Sequence, residues 1–203
     1  MTRIIGGHAG GRRLATPRGD ATRPTSDRVR EALFSAIESW CGSLQGLRFL
    51  DLYAGSGAVG LEAWSRGAEA VTLVEHDRRT ASLVRSNAAS LGCAVADVRT
   101  GAVRSVLATP PEAPYDVVFS DPPYPLADDQ VAADLAALVT QGWLAPDALV
   151  VVERGSRGPA LTWPDGLAAH RSRRYGETVL WYGHAAADPT ADHAQSDDPE
   201  EQP

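Results

Sequence analysis

Leu50-Asp51-Leu52-Tyr53-Ala54-Gly55-Ser56-Gly57-Ala58-Val59-Gly60 decides the architecture. An apolar run breaks into glycines and then resumes in helix formers, the pattern of a strand, a tight loop and a helix start. Glycines let the backbone turn sharply and approach a ligand, whose polar groups meet the unpaired N–H donors of the helix end. Twenty residues after Gly55, Glu75 closes the next apolar run, where an acid is placed for the two hydroxyls of a ribose. Taken literally, Gly55-x-Gly57-x-x-Gly60 with that acid also fits a dinucleotide fingerprint and hence a nicotinamide-dependent oxidoreductase. Asp51 argues otherwise: inside the first strand and close to the loop, it would repel a pyrophosphate but hold an ammonium. S-adenosylmethionine carries both a ribose and an amino-acid ammonium, and so accounts for Asp51 and Glu75 together.

Outward from this loop, strands and helices alternate. Apolar runs predict strands near 48–53, 70–75, 95–99, 116–120 and 147–153, and helical periodicity predicts helices near 56–66, 77–91, 101–108 and 128–140. Such alternation gives a mostly parallel sheet with helices on both faces. Between 167 and 182 there is no crossover helix. His170–Arg174 and Thr178–Tyr182 flank Tyr175-Gly176-Glu177 and read as a terminal antiparallel hairpin.

Upstream, Arg3–His8 and Arg12–Ala15 are two short extended segments around glycines, an amino-terminal β-hairpin arm over residues 1–25. Arg23-Pro24-Thr25 leads into a helix capped by Ser26 or Asp27. Val29, Leu33, Phe34 and Ile37 form its apolar stripe, with Arg28 and Arg30 off it. The α/β domain spans 26–183. Residues 184–203 lack apolar periodicity and read as an acidic, disordered tail.

The second decisive stretch is Asp116-Val-Val-Phe-Ser-Asp-Pro-Pro-Tyr124. A buried strand ends in an acid, two prolines and an aromatic. Tandem prolines cannot continue a strand ladder, so the backbone leaves the sheet along a fixed, extended path. A carboxylate, outward carbonyls and a flat ring are thereby held where open α/β sheets bind ligands. An exocyclic base amine needs those parts: acceptors for its N–H groups and a surface to stack on.

The formal net charge of −7 conceals an asymmetry. Residues 1–30 carry seven arginines against Asp20 and Asp27, a balance of +5, while residues 183–203 carry six acids and no arginine. All nineteen basic side chains are arginine, which makes bidentate phosphate contacts and stacks on bases. An acidic whole is therefore compatible with a polyanionic partner. Cys41 and Cys93 are far apart and form no ligand or redox pair, and no run is long and apolar enough for a membrane span. These features are those of a reduced, cytoplasmic protein. No His/Cys cluster suggests a metal, and neither cysteine lies near Asp121, which disfavours cytosine C5 chemistry through a cysteine adduct.

In combination, Arg3-Ile-Ile-Gly-Gly7, Arg23-Pro-Thr25 with Asp27-Arg-Val-Arg-Glu31, Asp51-Leu-Tyr-Ala-Gly-Ser-Gly57, Gly60-Leu-Glu-Ala-Trp-Ser-Arg-Gly67 and Asp121-Pro-Pro-Tyr124 carry a resemblance. From Arg3 to about Tyr182 the chain resembles the bacterial 16S ribosomal RNA guanine-N2-methyltransferase D family, within the Rossmann-like (class I) S-adenosylmethionine-dependent methyltransferases. The resemblance implies that Asp51, Gly55, Ser56, Gly57 and Glu75, with neighbouring Tyr53 and His76, bind the cofactor. It also implies that Asp121, Pro122, Pro123 and Tyr124 hold the target guanine. The arm, through Arg3, Arg12, Arg13, Arg23, Thr25 and Arg28, would hold RNA or help close the site. Ala102 stands where such enzymes often place Asp or Asn on the cofactor's adenine amine, which leaves adenine recognition open. The implied partner is 16S rRNA, within the 30S subunit or an assembly intermediate, and the implied state a monomer. The competing expectations are an amino-methyltransferase acting on adenine or cytosine in DNA, an oxidoreductase, and a non-catalytic RNA-binding assembly factor of the same fold. No separate target-recognition domain is visible in 203 residues, which weighs against sequence-specific DNA modification.

Overall fold

A computed structural model describes residues 2–17 and 26–186. At its centre is β3 (Arg48–Leu52), in which Phe49, Leu50 and Leu52 are fully buried. Adjacent residues can all be buried only where both faces of the sheet are covered, as helical crossovers on parallel strands require. The remaining sheet strands are β4 (Ala70–Glu75), β5 (Ala96–Thr100), β6 (Tyr115–Ser120), β7 (Leu144–Gly155), β8 (Leu167–Tyr175) and β9 (Thr178–Ala185). They lie in the order β5-β4-β3-β6-β7-β9-β8. The first five of these are parallel, and β9 runs antiparallel to both β7 and β8.

Two apolar layers fill the faces. On one, α1 (Asp27–Cys41), α2 (Ala58–Ser65) and α3 (Arg78–Leu91) pack over Phe49, Phe119 and Val151. On the other, α4 (Val103–Leu107) and α5 (Asp128–Thr140) pack over Leu50, Val118 and Val150. Strand order reverses between β3 and β6, so the crevice at a topological switch point opens between the loop after β3 and the segment after β6. These are the glycine loop and Asp121–Tyr124.

The arm is a two-stranded hairpin, β1 (Thr2–Arg3) with β2 (Arg13–Leu14), and its Ile4 and Leu14 are buried in the α1–α3 layer. Arg23 and Thr25, and the tail from 187 onward, lie outside the described residues.

Several elements differ from the sequence reading in extent. Helix α4 is shorter than 101–108, since Pro110 and Pro111 follow closely and cannot extend it. Strand β7 begins at Leu144, before its apolar run, by way of a register shift opposite Tyr115–Val117 and Asp147 at φ 57. The carboxyl-terminal strands run beyond 170–174 and 178–182, and β9 passes residue 183 to reach Ala185. Residues Ala169–Arg174 of β8 are exposed at the sheet edge and carry no apolar alternation that could have marked its length.

Arg30 is a correction. The helical stripe put it on the polar side of α1, yet it is 1 % exposed. The arm covers that flank. Arg30 donates to the Arg3 carbonyl (2.8 Å) and to Asp27 (2.7 Å), and lies 3.7 Å from Glu62. Ser26, rather than Asp27, is the cap of α1, accepting from the Val29 N–H.

Candidate active site

The glycine loop is shaped by backbone conformations that side chains resist. Gly55 and Gly57 have φ of 56° and 78°, and a Cβ on Gly57 would come within 2.9 Å of Val84. Tyr53 also adopts positive φ, 62°, which is uncommon for a bulky residue. Its phenol donates to Asp134 of α5 at 2.5 Å, a tie between the cofactor loop and the helix that follows the proline segment. Burial and the Asp134 carboxylate both push the Tyr53 phenol above its ordinary pKa, and burial raises Asp134 itself. The bond from the phenol in turn favours the charged form of Asp134, opposing its burial, so each group supports the other's state and the phenol is the donor.

Asp51 is 2 % exposed and accepts the Gly60 N–H at 2.8 Å, joining β3 to the first turn of α2. Its pKa is pushed up to about 7, chiefly by burial, with Glu75 contributing repulsion against the stabilising Gly60 bond. Glu75 closes β4 and uses both oxygens. One accepts the Gly55 N–H (3.0 Å), the other the Asp77 N–H (2.8 Å) and a contact from His76 (3.1 Å). The two acids thus brace the loop from either side, one neighbouring the helix start and one the loop's entry.

Beside the loop lies a cleft of about 360 Å³, in the range of small-molecule sites. Tyr53, His76, Ala102, Pro123, Gln130 and Asp134 line it, so the glycine loop, the end of β4, the start of α4 and the proline segment meet around one hollow. Ala102 contributes only a methyl group, and the cleft's polar groups come from Tyr53, His76, Arg104, Gln130 and Asp134 instead. A larger, open hollow of about 560 Å³ between α3 and β5 is remote from the strands' carboxyl ends and is no counterpart to this site.

On the other side of the proline segment, Asp121 leaves β6 half-buried, with its N–H directed to the Leu52 carbonyl at 3.4 Å. Pro122 is buried, Pro123 is exposed, and Tyr124 is 66 % exposed. The Tyr124 ring lies against Gly155 at the end of β7, where any Cβ would meet it at 2.9 Å. Arg154 fixes the following turn, donating to the Leu126 carbonyl (3.1 Å) and to Asp128 (2.8 Å). The segment is therefore held at both ends with its ring turned to solvent.

The arm's predicted contacts divide. Arg13 and Arg28 are exposed. Arg3 pairs with Asp27 at 3.3 Å, and Arg12 donates to the Ser90 and Leu91 carbonyls at the end of α3, where a cation also complements the helix dipole. Three residues central to this region were missed in the sequence. Glu62, fully buried on α2, accepts from the Ile5 and Gly6 N–H groups (3.0 Å each) and from Arg66 (2.9 Å). Asn87, on the buried side of α3, donates to both the Ala15 and the Ser56 carbonyls, tying the arm to the glycine loop. Glu153, 8 % exposed, sits at the carboxyl end of β7. The available signal was a polar residue at a position that periodicity buries.

A glycine loop braced by two acids, a purine-sized cleft and an Asp-Pro-Pro-Tyr segment, set at the switch point of this sheet, define a Rossmann-like methyltransferase. Comparison with known proteins agrees. Residues 2–184 match the family described as Conserved hypothetical protein 95, and the chain belongs to that family. It is 38% identical to the ribosomal RNA small subunit methyltransferase D of Escherichia coli strain K12 over 192 residues, 94% of each chain. It is 37% identical to the protein of that name from Haemophilus influenzae over 163 residues, 79% of this chain and 82% of that one. The solved structure of yhhF from Escherichia coli superposes with a TM-score of 0.81 at 34% identity, covering 92% of this chain and 99% of that chain. With family and fold agreed, the oxidoreductase expectation falls away.

Proposed function

We propose that this protein transfers a methyl group from S-adenosylmethionine to the N2 amine of a guanine in 16S ribosomal RNA. The observation that carries the reading is the juxtaposition at the switch point of a braced glycine loop with an acid and a solvent-facing ring on the next strand. The relatives named for the small ribosomal subunit supply the substrate class. The residues present fit the cofactor: Asp51 for an ammonium, Glu75 for a ribose, and the cleft beyond Tyr53 and His76 for a purine. When bound, it supplies an electrophilic sulfonium methyl.

The chain's own groups do the rest. N2 of guanine is a weak nucleophile because its lone pair is delocalised into the ring. Asp121 accepts one N2–H and a carbonyl of the proline segment accepts the other, which directs the remaining lone pair outward. Orientation of this kind contributes up to roughly 7–11 kcal/mol in favourable intramolecular reactions. Acceptors fixed in advance also stabilise the positive charge that develops on nitrogen. Asp121 then receives the proton directly or passes it to water, while Tyr124 stacks on a base drawn out of its helix or loop. The protein acts as a cytoplasmic monomer on the 30S subunit or an assembly intermediate, with arm arginines touching RNA.

The test offers isotope-labelled S-adenosylmethionine with unmethylated 30S subunits, naked 16S RNA and duplex DNA, followed by nucleoside mass spectrometry. N2-methylguanosine from the ribosomal substrate, abolished in Asp121→Ala, is the expected result. Label confined to DNA would overturn the substrate, and an unchanged cellular methyl mark in Asp121→Ala would overturn the role of that residue.

A further inference from the structure

Strand register brings a second acid to the acceptor side of this site. Ser120 of β6 pairs with Val152 of β7, so the next residues along these parallel strands, Asp121 and Glu153, are neighbours. Strand spacing puts their backbones about 5 Å apart. Both continue the alternation of Phe119 and Val151, whose side chains enter the α1–α3 layer, so both project on the same face. The Thr178 hydroxyl of β9, the strand on the other side of β7 from β6, donates to Glu153 Oε1 at 3.4 Å, and Thr178 is opposite Gly155, so this bond draws the carboxylate toward the carboxyl edge of the sheet. The Tyr124 ring rests on that same Gly155. A buried carboxylate, 8 % exposed, thus stands one strand from Asp121 and two residues from the glycine on which the Tyr124 ring rests.

Base chemistry gives this placement a meaning. The three amine-bearing bases differ at the ring nitrogen beside the amine. In guanine N1 carries a hydrogen and donates, whereas adenine N1 and cytosine N3 are bare acceptors. A carboxylate facing that position accepts from guanine and repels the lone pair of the other two. We infer that Glu153 is the specificity-determining residue for guanine, accepting its N1–H while Asp121 accepts from N2. The inference rests on the proposed reading of the site and extends it: Asp-Pro-Pro-Tyr alone serves any exocyclic amine, and Glu153 makes the choice among them.

The test replaces the guanine mapped by mass spectrometry with 2-aminopurine, which keeps the N2 amine but has a bare N1, in 30S subunits reconstituted from ligated RNA. Wild-type protein is expected to favour guanine in kcat/KM by roughly 100-fold or more, as sites built to bond a missing hydrogen do. Glu153→Gln, whose amide can also donate, is expected to narrow the preference to less than about tenfold through loss on guanine and gain on the analogue. Glu153→Asp should keep a clear preference at reduced rate. Calorimetric binding of S-adenosylhomocysteine shows whether each variant is folded, a readout that a merely structural role would move and the inference leaves unchanged. A wild-type preference near unity, or one that Glu153→Gln leaves intact, would overturn the inference while methylated guanine still upheld the parent reading. Should the glutamine variant fail to fold, Glu153→Asp still decides, because a preference and a rate both unchanged from wild type would overturn the inference. Absence of any transfer to ribosomal guanine would sink both.

Discussion

At the scale of single residues, Asp51 makes the sharpest demand. Its carboxyl has a pKa of about 7 because it is buried, against an ordinary carboxylate value of 3.8. The folded state therefore holds this proton more tightly than the unfolded chain. The stability that this group contributes is complete below pH 4 and is lost as pH rises through 7. Binding an ammonium reverses the preference, since the charged carboxylate is then paired. Affinity for S-adenosylhomocysteine, which carries that ammonium, should fall as pH drops below 7, approaching tenfold per unit, with proton release on binding. Calorimetry between pH 5.5 and 8.5 checks this, and Asp51→Asn should bind weakly with little pH dependence. The residues at this scale were the most legible in the sequence. Glycines at forced φ, an acid at a strand end and tandem prolines announce themselves because their chemistry is local. Glu153 did not, since its meaning comes from register with β6, which no local pattern encodes.

Among elements, the amino-terminal arm shows most clearly what a local motif leaves out. Arg3-Ile-Ile-Gly-Gly7 and Gly60–Gly67 stood out together in the sequence, and the structure supplies a reason: they are two halves of one joint. Glu62 receives two arm N–H groups and two guanidinium bonds from Arg66, with Arg30 at its side. Gly7 approaches α2 so closely that a Cβ would overlap the Ser65 carbonyl. Glu62→Ala would leave the Arg30 guanidinium buried with Asp27 as its remaining carboxylate, and removing one partner from such a site costs about 3–5 kcal/mol. Urea unfolding should show that loss as a lower midpoint at similar slope. Asn87→Ala should cost less stability, about 1–3 kcal/mol for the carbonyls it leaves unbonded, yet weaken cofactor binding as well, because Asn87 also holds Ser56 in the glycine loop. A change confined to stability would show that the arm and the loop are independent. The sequence marked the arm as a basic β-hairpin without showing what it packs against. Its burial depends on helices whose packing the local pattern cannot reveal.

Over the whole molecule, the question is how a chain with net charge −7 engages a polyanion. On β8, Arg171 and Arg173 face Tyr182 and Leu180 across the ladder, on the sheet face that α1 covers. Arg28, exposed in the first turn of α1, belongs to that same layer, so arginines distant in sequence share one side of the molecule. Arg157 and Arg174 gather at the hairpin's turn, where Ser156 bonds the Glu177 carbonyl beside the strand end that seats Tyr124. The Arg157–Glu177 pair spans 3.2 Å with both side chains largely exposed, so it holds the guanidinium only weakly against a phosphate. If these side chains carry RNA backbone, replacing Arg157 and Arg173 with alanine should raise KM for the 30S substrate severalfold and leave kcat close to wild type. Each lost phosphate contact should also flatten the logarithmic dependence of affinity on salt by about 0.7–0.9. A drop in kcat with an unchanged salt slope would instead assign the hairpin to the architecture of the active site. The two outcomes differ because phosphate contacts position the substrate without distinguishing its transition state, whereas on the proposed reading the Tyr124–Gly155 contact is part of the reacting geometry.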